Sequence, residues 1–438
     1  MHDRLGWTGA ARDSLERWPG WTRFAAETRA DGLDRALICG MGGSSLAPRV
    51  LAQSFGAVGV DVLDSTIPAA VRTAEQGHPI DRTLFLIVSK SGSTVETLAA
   101  YHYFAARARP DQFVAVTDPG SALEQLAAER GFRAVFPHPA DVGGRYAALT
   151  VVGMLPAALA GIDGRTLLER ACEIDVAVAR TLGRDIAAAA AAGRDKLALT
   201  PPAPVAALAS WIEQLVAESS GKDGKGVVPL IDGQDQAGDD VQKVSEFSPD
   251  PLDLGREFLR WEYATWELCG RLGVNAFDQP NVEEAKLLAR AELAKPRDAT
   301  ESLPPTLSPA QLRRVARRGD YLAVLAYLPP EPEIEATLQR VCHAWGRALG
   351  IVTTVGFGPR YLHSTGQLHK GGPNTGLFLV VTADTPADLE IPTMGTTFGR
   401  LERAQAMGDI RALLARGRRV CHVHLTDVRD VEQLVAVP

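Results

Sequence analysis

The sequence predicts an α/β protein with two three-layer αβα domains and mainly parallel sheets. The chain has 438 residues, which exceeds one ordinary hydrophobic core and indicates two or three domains. From Leu33 onward, short apolar runs alternate with loops rich in Gly or Ser and with amphipathic helices. This alternation is typical of parallel sheets that are covered by helices on both faces. The runs are apolar at nearly every position, as expected of strands buried on both faces.

The first half contains three units of strand, loop and helix after a helical lead-in. The loops that follow its strands begin GMGGSS, KSGST and DPGS. The predicted strands of this half are 36–39, 83–89 and 113–117.

An Ala-rich segment from Leu167 to Ala192 follows, with apolar residues at helical spacing. We predict one long linking helix there that ends near Gly193. The chain is therefore divided into a first domain over residues 1–165, a linking segment over 166–199 and a second domain over 200–438.

Strand-like runs resume in the second half, which indicates a second α/β domain. Two polar segments rich in Pro, 234–253 and 296–309, are predicted to be surface connections. The predicted strands are 205–208, 227–231, 321–327, 351–355, 377–382 and 420–425.

Composition excludes several classes of protein. Hydrophobic residues make up 46% and charged residues 23%, which is ordinary for a globular chain. The formal net charge is −7 without a basic stripe, so we expect no nucleic-acid partner. No stretch has the length and apolar character of a signal peptide or a membrane span. The five cysteines are scattered without a CxxC pair, so we expect no disulfide framework, no structural metal and a reducing cytoplasm.

The most informative local pattern is SKSGST, from Ser89 to Thr94, which follows a buried strand and opens a helix. Backbone amides at a helix N-terminus carry partial positive charge, and here they are surrounded by four hydroxyl groups. The pattern predicts a phosphate-binding loop. An ordinary helix cap remains the alternative, because Ser and Thr favour helix starts with or without a ligand.

GMGGSS, from Gly40 to Ser45, also lies between a strand and a helix, and its glycines allow close approach of a ligand to the backbone. It is alternatively a tight turn. Two such loops at the carboxyl ends of strands in one sheet define a crevice, the usual ligand site of open α/β sheets. Neither loop has the Walker A or GxGxxG spacing, which disfavours a nucleotide.

With these two loops and the motifs that follow them, the chain resembles the phosphoglucose isomerase family, which is built from two sugar-isomerase (SIS) domains. It is most similar to the isomerase half of bifunctional transaldolase/glucose-6-phosphate isomerases. Five motifs in order make the resemblance specific, whereas any one alone does not. They are GMGGSSLAP, SKSGSTVET, VGGRY, AESSGKDGKG and GVNAFDQPNVEEAK.

The resemblance implies roles for individual residues. It implies that Glu218 is the base that moves a proton between C1 and C2, that Arg145 stabilises the enediolate, and that Lys286 assists ring opening. The residues that it implies for substrate binding are Gly43, Ser44, Ser89, Lys90, Ser91, Ser93, Thr94 and Gln279.

The histidine that opens the ring is where the sequence departs from the family. Members commonly carry it between the glutamate and lysine motifs, but residues 226–261 contain no histidine. A similar string, HSTGQLHKGG, occurs instead after Lys286. We expect His363 to be the acid/base, with His369 as the alternative and a structural role for both as a third possibility.

The resemblance implies an aldose–ketose isomerase that interconverts glucose 6-phosphate and fructose 6-phosphate through a cis-enediol, without metal or cofactor. It further implies a homodimer with shared sites, and it leaves open a functional link to a transaldolase. Two alternatives remain: a sugar-phosphate sensor without turnover, because SIS domains also occur in regulators, and an isomerase of broader range that accepts mannose 6-phosphate.

Overall fold

A computed structural model describes residues 4–231, 238–295 and 303–436. The strands are β1 Arg35–Gly40, β2 Val60–Leu63, β3 Thr83–Val88, β4 Phe113–Thr117, β5 Ala134–Pro137, β6 Lys196–Leu199, β7 Val228–Leu230, β8 Val241–Val244, β9 Tyr321–Tyr327, β10 Val352–Phe357, β11 Gly376–Ala383, β12 Glu390–Ile391, β13 Thr396–Thr397 and β14 Arg419–Leu425. The α-helices are α1 Ala10–Ala30, α2 Leu46–Ser54, α3 Pro68–Gly77, α4 Val95–Ala105, α5 Ala122–Arg130, α6 Val151–Leu159, α7 Gly164–Cys172, α8 Val176–Ala191, α9 Leu208–Ser220, α10 Leu254–Leu272, α11 Val282–Leu293, α12 Pro309–Val315, α13 Pro332–Leu349, α14 Gly366–Gly371 and α15 Phe398–Ala415.

The first sheet is parallel throughout and has the strand order β2-β1-β3-β4-β5. Strand β1, between β2 and β3, is buried on both faces. Ala36 and Ile38 pack into a core shared with α1, α2 and α6, whereas Leu37 and Cys39 pack into a second core shared with α4 and α5. Alternate side chains of a strand point to opposite faces, so the sheet is the middle of three layers. The predicted fold class is confirmed here.

The second half contains a four-stranded parallel sheet of order β10-β9-β11-β14 and a three-stranded parallel sheet of order β7-β6-β8. In β9, Ala323 and Leu325 face a core that includes α15 and β7, and Leu322 and Val324 face a core that includes α13. The predicted strands 227–231, 321–327, 351–355, 377–382 and 420–425 are confirmed to within two residues at each end.

The predicted strand 205–208 is wrong. A 3₁₀ turn at Ala203–Val205 leads directly into α9, which begins at Leu208. Proline at the start of this turn fixes a backbone angle suited to a helix start and removes a donor that a strand needs.

The prediction of a single linking helix is also wrong, because α7 ends at Cys172 and α8 begins at Val176. The Asp175 side chain accepts hydrogen bonds from the backbone N–H groups of Ala177 and Val178, at 2.9 and 3.1 Å. Such a side-chain cap satisfies N–H groups that have no partner at the start of a helix, so Asp175 marks the beginning of a separate helix. The domain boundaries themselves stay a prediction.

The segment 234–253 is more than a surface connection, since Val241–Val244 forms β8 and pairs with β6. Neither β6 nor β8 was predicted, because both strands are short and the two central residues of β8 are Gln and Lys. Residues 232–237 and 296–302 lie outside the described residues, so the prediction for 296–309 is described only from residue 303. Of the helices in the described ranges, none combines the length and apolar character that a bilayer crossing requires.

Candidate active site

The candidate site lies at the carboxyl edge of the first sheet, between β1 and β3. These neighbouring strands connect onward in opposite directions, to β2 on one side and to β4 on the other. In open α/β sheets, such a switch point leaves a crevice in which ligands bind. GMGGSS follows β1 and SKSGST follows β3, so the two predicted loops flank this crevice.

The SKSGST loop places four hydroxyl groups around the first turn of α4. The hydroxyl oxygens of Ser89 and Thr94 are 2.9 Å apart, and those of Ser91 and Ser93 are 3.0 Å apart. Gly92 has φ +69°, a left-handed conformation that glycine adopts without strain. Ser89 is buried whereas Ser91 and Ser93 are exposed, so the loop presents hydroxyl groups outward at a helix N-terminus.

Lys90 differs from its neighbours in this loop. Its ammonium group lies 3.0 Å from the Asp118 carboxylate and donates to the Ala140 carbonyl at 3.2 Å. The predicted role of Lys90 in substrate binding therefore stays a prediction, with its charge engaged by Asp118 in this structure.

The glycine loop after β1 packs against the VGGRY turn. A methyl group in place of the Gly43 hydrogen would lie 2.1 Å from the Gly144 carbonyl oxygen, so only glycine fits here. Gly42 has φ +54° and lies beside Gln214 and the backbone of His363. These close approaches bring three separate segments of the chain to one edge of the crevice.

Arg145 is buried and held by hydrogen bonds from every guanidinium nitrogen. Its Nε donates to Ser219 Oγ at 2.8 Å, its Nη1 donates to Gln279 Oε1 at 2.8 Å, and its Nη2 donates to the Ala276 carbonyl at 2.6 Å. The predicted partners Arg145 and Gln279 are thus in direct contact. A cation fixed in this way has little conformational freedom left to lose when it meets a ligand.

Glu218 lies in the last turn of α9 and is 6% exposed. Its Oε2 accepts a hydrogen bond from Gln214 Nε2 at 3.0 Å and lies 3.5 Å from Arg145 Nη1. Residues four apart on a helix share a face, which explains why Gln214 reaches Glu218. The structure therefore brings the predicted base and the predicted cation together.

Lys222 is a second buried cation near this pair. Its Nζ donates to the carbonyl oxygens of Asn275 and Asp278 at 2.5 and 2.6 Å, and to Asp278 Oδ1 at 2.8 Å. Burial lowers the pKa of Lys222, with Asp278 acting in the opposite direction. These bonds fix the segment that carries Gln279 against the end of α9.

His363 ends a 3₁₀ turn, Arg360–His363, and lies opposite the first turn of α4. Its Nε2 is 2.9 Å from Glu96 Oε1. Gln405 Nε2 donates to the same carboxylate oxygen at 2.7 Å. Burial raises the pKa of Glu96, but the charge and hydrogen bond of His363 outweigh it and the pKa lies below its usual value.

The carbonyl oxygen of His363 accepts a hydrogen bond from Gln214 Nε2 at 2.7 Å. Because Gln214 also donates to Glu218, one amide links the predicted base to the segment of the predicted acid/base. Glu96 belongs to the SKSGSTVET motif, so the same contacts extend to the hydroxyl loop. Glu218 is thus linked to the SKSGSTVET motif through Gln214, His363 and Glu96.

His369 has a different environment. Its ring is buried among Tyr321, Tyr361 and Phe378, and burial lowers its pKa well below the usual value. Nδ1 has no hydrogen-bond partner within the described parts of the chain. The buried, neutral imidazole of His369 packs against aromatic rings, whereas the imidazole of His363 pairs with the Glu96 carboxylate.

Lys286 lies just over one turn into α11, whereas the sequence predicted about two turns. Its positive charge is near enough to contribute to the lowered pKa of Glu96. Helix α11 packs against α14 and α15, the helices that carry His369 and Gln405. Across the described ranges, no group of three or more metal-ligating side chains is present.

Sequence reasoning missed three residues of this network. Glu96 stands inside a motif that the sequence singled out, and Gln214 stands four residues before Glu218, so both had a local signal. Gln405 had none, because nothing within α15 marks it as a partner of a residue more than 300 positions away.

Comparison with known proteins confirms the resemblance to glucose-6-phosphate isomerases, whereas the similarity to transaldolase fusions stays a prediction. The chain is 37% identical over 210 residues to a glucose-6-phosphate isomerase of Thermosynechococcus vestitus, covering 43% of this chain and 40% of that protein. It is 31% identical over 237 residues to a glucose-6-phosphate isomerase of Rubrobacter xylanophilus, covering 47% of this chain and 54% of that protein. The matches thus span only about half of these relatives or less. No family model matches the chain.

A solved structure has a similar fold. A glucose-6-phosphate isomerase from Chlamydia trachomatis superposes with a TM-score of 0.53 at 20% identity, covering 65% of this chain and 74% of that one. At this identity the likeness concerns the α/β fold alone.

Proposed function

We propose that this protein is an aldose–ketose isomerase that interconverts glucose 6-phosphate and fructose 6-phosphate through a cis-enediol. The observation that carries the proposal is the convergence of residues from separate motifs on one crevice. Glu218 and Arg145 lie 3.5 Å apart, and His363 pairs with Glu96 beside the hydroxyl loop. The curated relatives that match the chain carry the name of this activity.

Ring opening is assigned to His363. A cyclic hexose opens when a proton leaves the anomeric hydroxyl and another reaches the ring oxygen, which an imidazole near neutral pH is suited to transfer. Glu96 accepts a hydrogen bond from the imidazole and so fixes which nitrogen carries the proton. Lys286 contributes a second positive charge in the same region.

Isomerisation of the open chain is assigned to Glu218. Its carboxylate removes the proton from C2, the C2–H electrons form the C1=C2 double bond, and the C1 carbonyl electrons move to O1. A proton then passes from the C2 hydroxyl to O1, and the protonated carboxyl returns its proton to C1 as C2 becomes the carbonyl carbon. Negative charge develops on the enediolate oxygens, where the fixed guanidinium of Arg145 stabilises it. Gln214 holds the carboxylate in position at 3.0 Å.

The phosphate group is assigned to the first turn of α4 and the hydroxyls of the SKSGST loop. Ser91 and Ser93 are exposed at this helix start, and the backbone amides there suit an anion. Gly43 and Ser44 are assigned to the sugar. The distance between the GMGGSS and SKSGST loops then determines which carbon atoms of the substrate reach Glu218.

A direct test is turnover of purified protein in the presence of a chelator, with glucose 6-phosphate and mannose 6-phosphate supplied in parallel. We expect fructose 6-phosphate from glucose 6-phosphate. Saturable binding of both sugars without turnover would replace this proposal by a sugar-phosphate sensor. Equal turnover of both sugars would identify an isomerase of broader range.

The assembly and location are part of the same proposal. We infer a homodimer with shared sites and a cytoplasmic location, supported by the resemblance and by five cysteines without a disulfide among the described residues. Light scattering of the purified chain tests the dimer. Co-purification with a transaldolase tests the functional link.

A further inference from the structure

A buried carboxylate at the edge of the first sheet contacts two segments of the site. Asp64 directly follows β2 and is 2% exposed. Arg49 Nη2 lies 2.7 Å from its Oδ1, and Arg360 lies 3.0 Å from Oδ1 through Nη2 and 2.9 Å from Oδ2 through Nε. Two partly buried guanidinium groups therefore share one carboxylate.

The two arginines come from opposite halves of the chain. Arg49 lies in α2, which directly follows the glycine loop, and Arg360 opens the 3₁₀ turn that ends at His363. The bonds to Asp64 thus hold the turn of His363 against the helix behind the glycine loop.

A second series of contacts joins the segment after β2 to His363. Thr66, two residues after Asp64, is fully buried and donates through Oγ1 to Gln405 Oε1 at 2.8 Å. Gln405 in turn donates to Glu96, the partner of His363. The segment after β2 therefore reaches His363 by two routes, through Arg360 along the backbone and through Gln405 and Glu96 at the ring.

We propose that Asp64 is a positioning residue for His363, and that ring opening depends on its contacts with Arg49 and Arg360. The inference rests on the proposed isomerase function. Without the carboxylate, two like charges face each other across the boundary between the halves and repel. The turn then moves, and displacement of a reacting group by 1 Å reduces a rate by about 100-fold.

The informative measurement separates ring opening from the later proton transfer. Exchange between the α and β anomers of glucose 6-phosphate requires ring opening and closing only, and NMR exchange spectroscopy reports its rate. Binding of 5-phospho-D-arabinonate, an open-chain carboxylate that mimics the enediolate, reports the remainder of the site. We expect Asp64→Asn to slow anomer exchange about 10- to 100-fold while binding of this mimic changes by less than about threefold.

Two further variants control for folding and for general loss of stability. Arg360→Gln removes the other partner and should slow anomer exchange similarly, and the double variant should be little slower than either single one, because contacting residues are not additive. Asp320→Asn removes an equally buried carboxylate bound to Arg419 at 2.6 Å, at the amino end of β9 away from the crevice. It should leave anomer exchange within about twofold of the parent.

The outcomes are distinguishable. A parent protein that neither isomerises nor exchanges anomers overturns the proposed function, and this inference with it. An active parent whose anomer exchange survives Asp64→Asn and Arg360→Gln overturns this inference alone. If Asp64→Asn does not fold, Arg360→Gln decides the question. An equal loss in Asp320→Asn would mean that the effect is general destabilisation, which also overturns it.

Discussion

The two larger sheets share a strand order but differ in the loops at their central gap. In each, the first and third strands along the chain are neighbours, β1 and β3 in one sheet and β9 and β11 in the other. The first sheet has GMGGSS and SKSGST after these strands. The second has LPPE after β9 and DTPAD after β11. Proline removes a backbone donor, so the second pair of loops offers fewer groups to an anion.

The second half contributes to the site from a different place. His363 follows the edge strand β10, and Gln405 lies on a covering helix. Of the two central gaps in the described part of the chain, the gap of the first sheet has the loops rich in Gly and Ser, and the second half places His363 and Gln405 near it. Fold repetition does not bring repetition of chemistry, because chemistry depends on which side chains the loops carry.

The largest expected effect is on the base in the first crevice. Glu218→Gln should lower kcat for glucose 6-phosphate by about 1,000-fold or more, because a positioned general base contributes about 100- to 10,000-fold. Steady-state turnover measures this. Glu213→Gln, on the same helix, is the matched control and should retain parental kcat. Parental turnover in Glu218→Gln would remove the assignment of the base.

The next largest effect tests the contribution of His363, which comes from the second half of the chain. His363→Ala should slow anomer exchange and turnover of cyclic substrate by about 100-fold, within the range of acid–base catalysis. Affinity for 5-phospho-D-arabinonate should be nearly unchanged. Equal losses of anomer exchange and of mimic affinity would mean that His363 shapes the site rather than opening the ring.

A smaller effect tests the difference between the two pairs of loops. Ser91→Ala should raise KM for glucose 6-phosphate about tenfold, since one hydrogen bond to a charged group contributes at least about 1.5 kcal/mol. Thr385→Ala, in the corresponding loop of the second sheet, should leave KM unchanged. A matching rise in KM for Thr385→Ala would show that both gaps bind phosphate.

The smallest effect concerns the second histidine of the HSTGQLHKGG string. The pKa of His369 is far below 6.5 in the folded protein, so only the unfolded state takes up its proton as pH falls through about 6.5. The free energy of unfolding therefore decreases below that pH, by up to about 1.4 kcal/mol per pH unit from this group. Denaturant titrations from pH 7 to 5 should show a shallower decrease in His369→Phe.

Phe378 packs against the same imidazole ring and provides the control for that titration. Phe378→Leu alters the packing without removing a titratable group and should keep the parental dependence of stability on pH. An unchanged slope in His369→Phe would contradict the buried, neutral imidazole and return His369 to the alternatives for ring opening.

The main features of the first half were predictable from sequence because they have local signatures. Apolar strands followed by glycine or hydroxyl loops predict a parallel sheet and the position of its crevice. Errors arose where one local pattern competes with another. The run 205–208 is apolar but begins α9, and the Ala-rich segment is interrupted by the cap at Asp175.

Other parts of the site carry no local signature. Asp64, Thr66 and Gln405 are single polar residues near strand ends or on an amphipathic helix, where most such residues face solvent. Their importance appears only when residues some 300 positions apart meet, as Arg360 and Asp64 do. The choice between His363 and His369 likewise depends on burial, which the string HSTGQLHKGG does not encode.

In the proposed reaction, Glu218 moves the proton between C1 and C2, and His363 opens the ring. NMR of glucose 6-phosphate in deuterated water separates the two roles, since one sample reports both anomer exchange and deuterium incorporation at C2. We expect Glu218→Gln to retain anomer exchange and to lose deuterium incorporation by about 1,000-fold. Incorporation at the parental rate in Glu218→Gln would contradict the role given to Glu218.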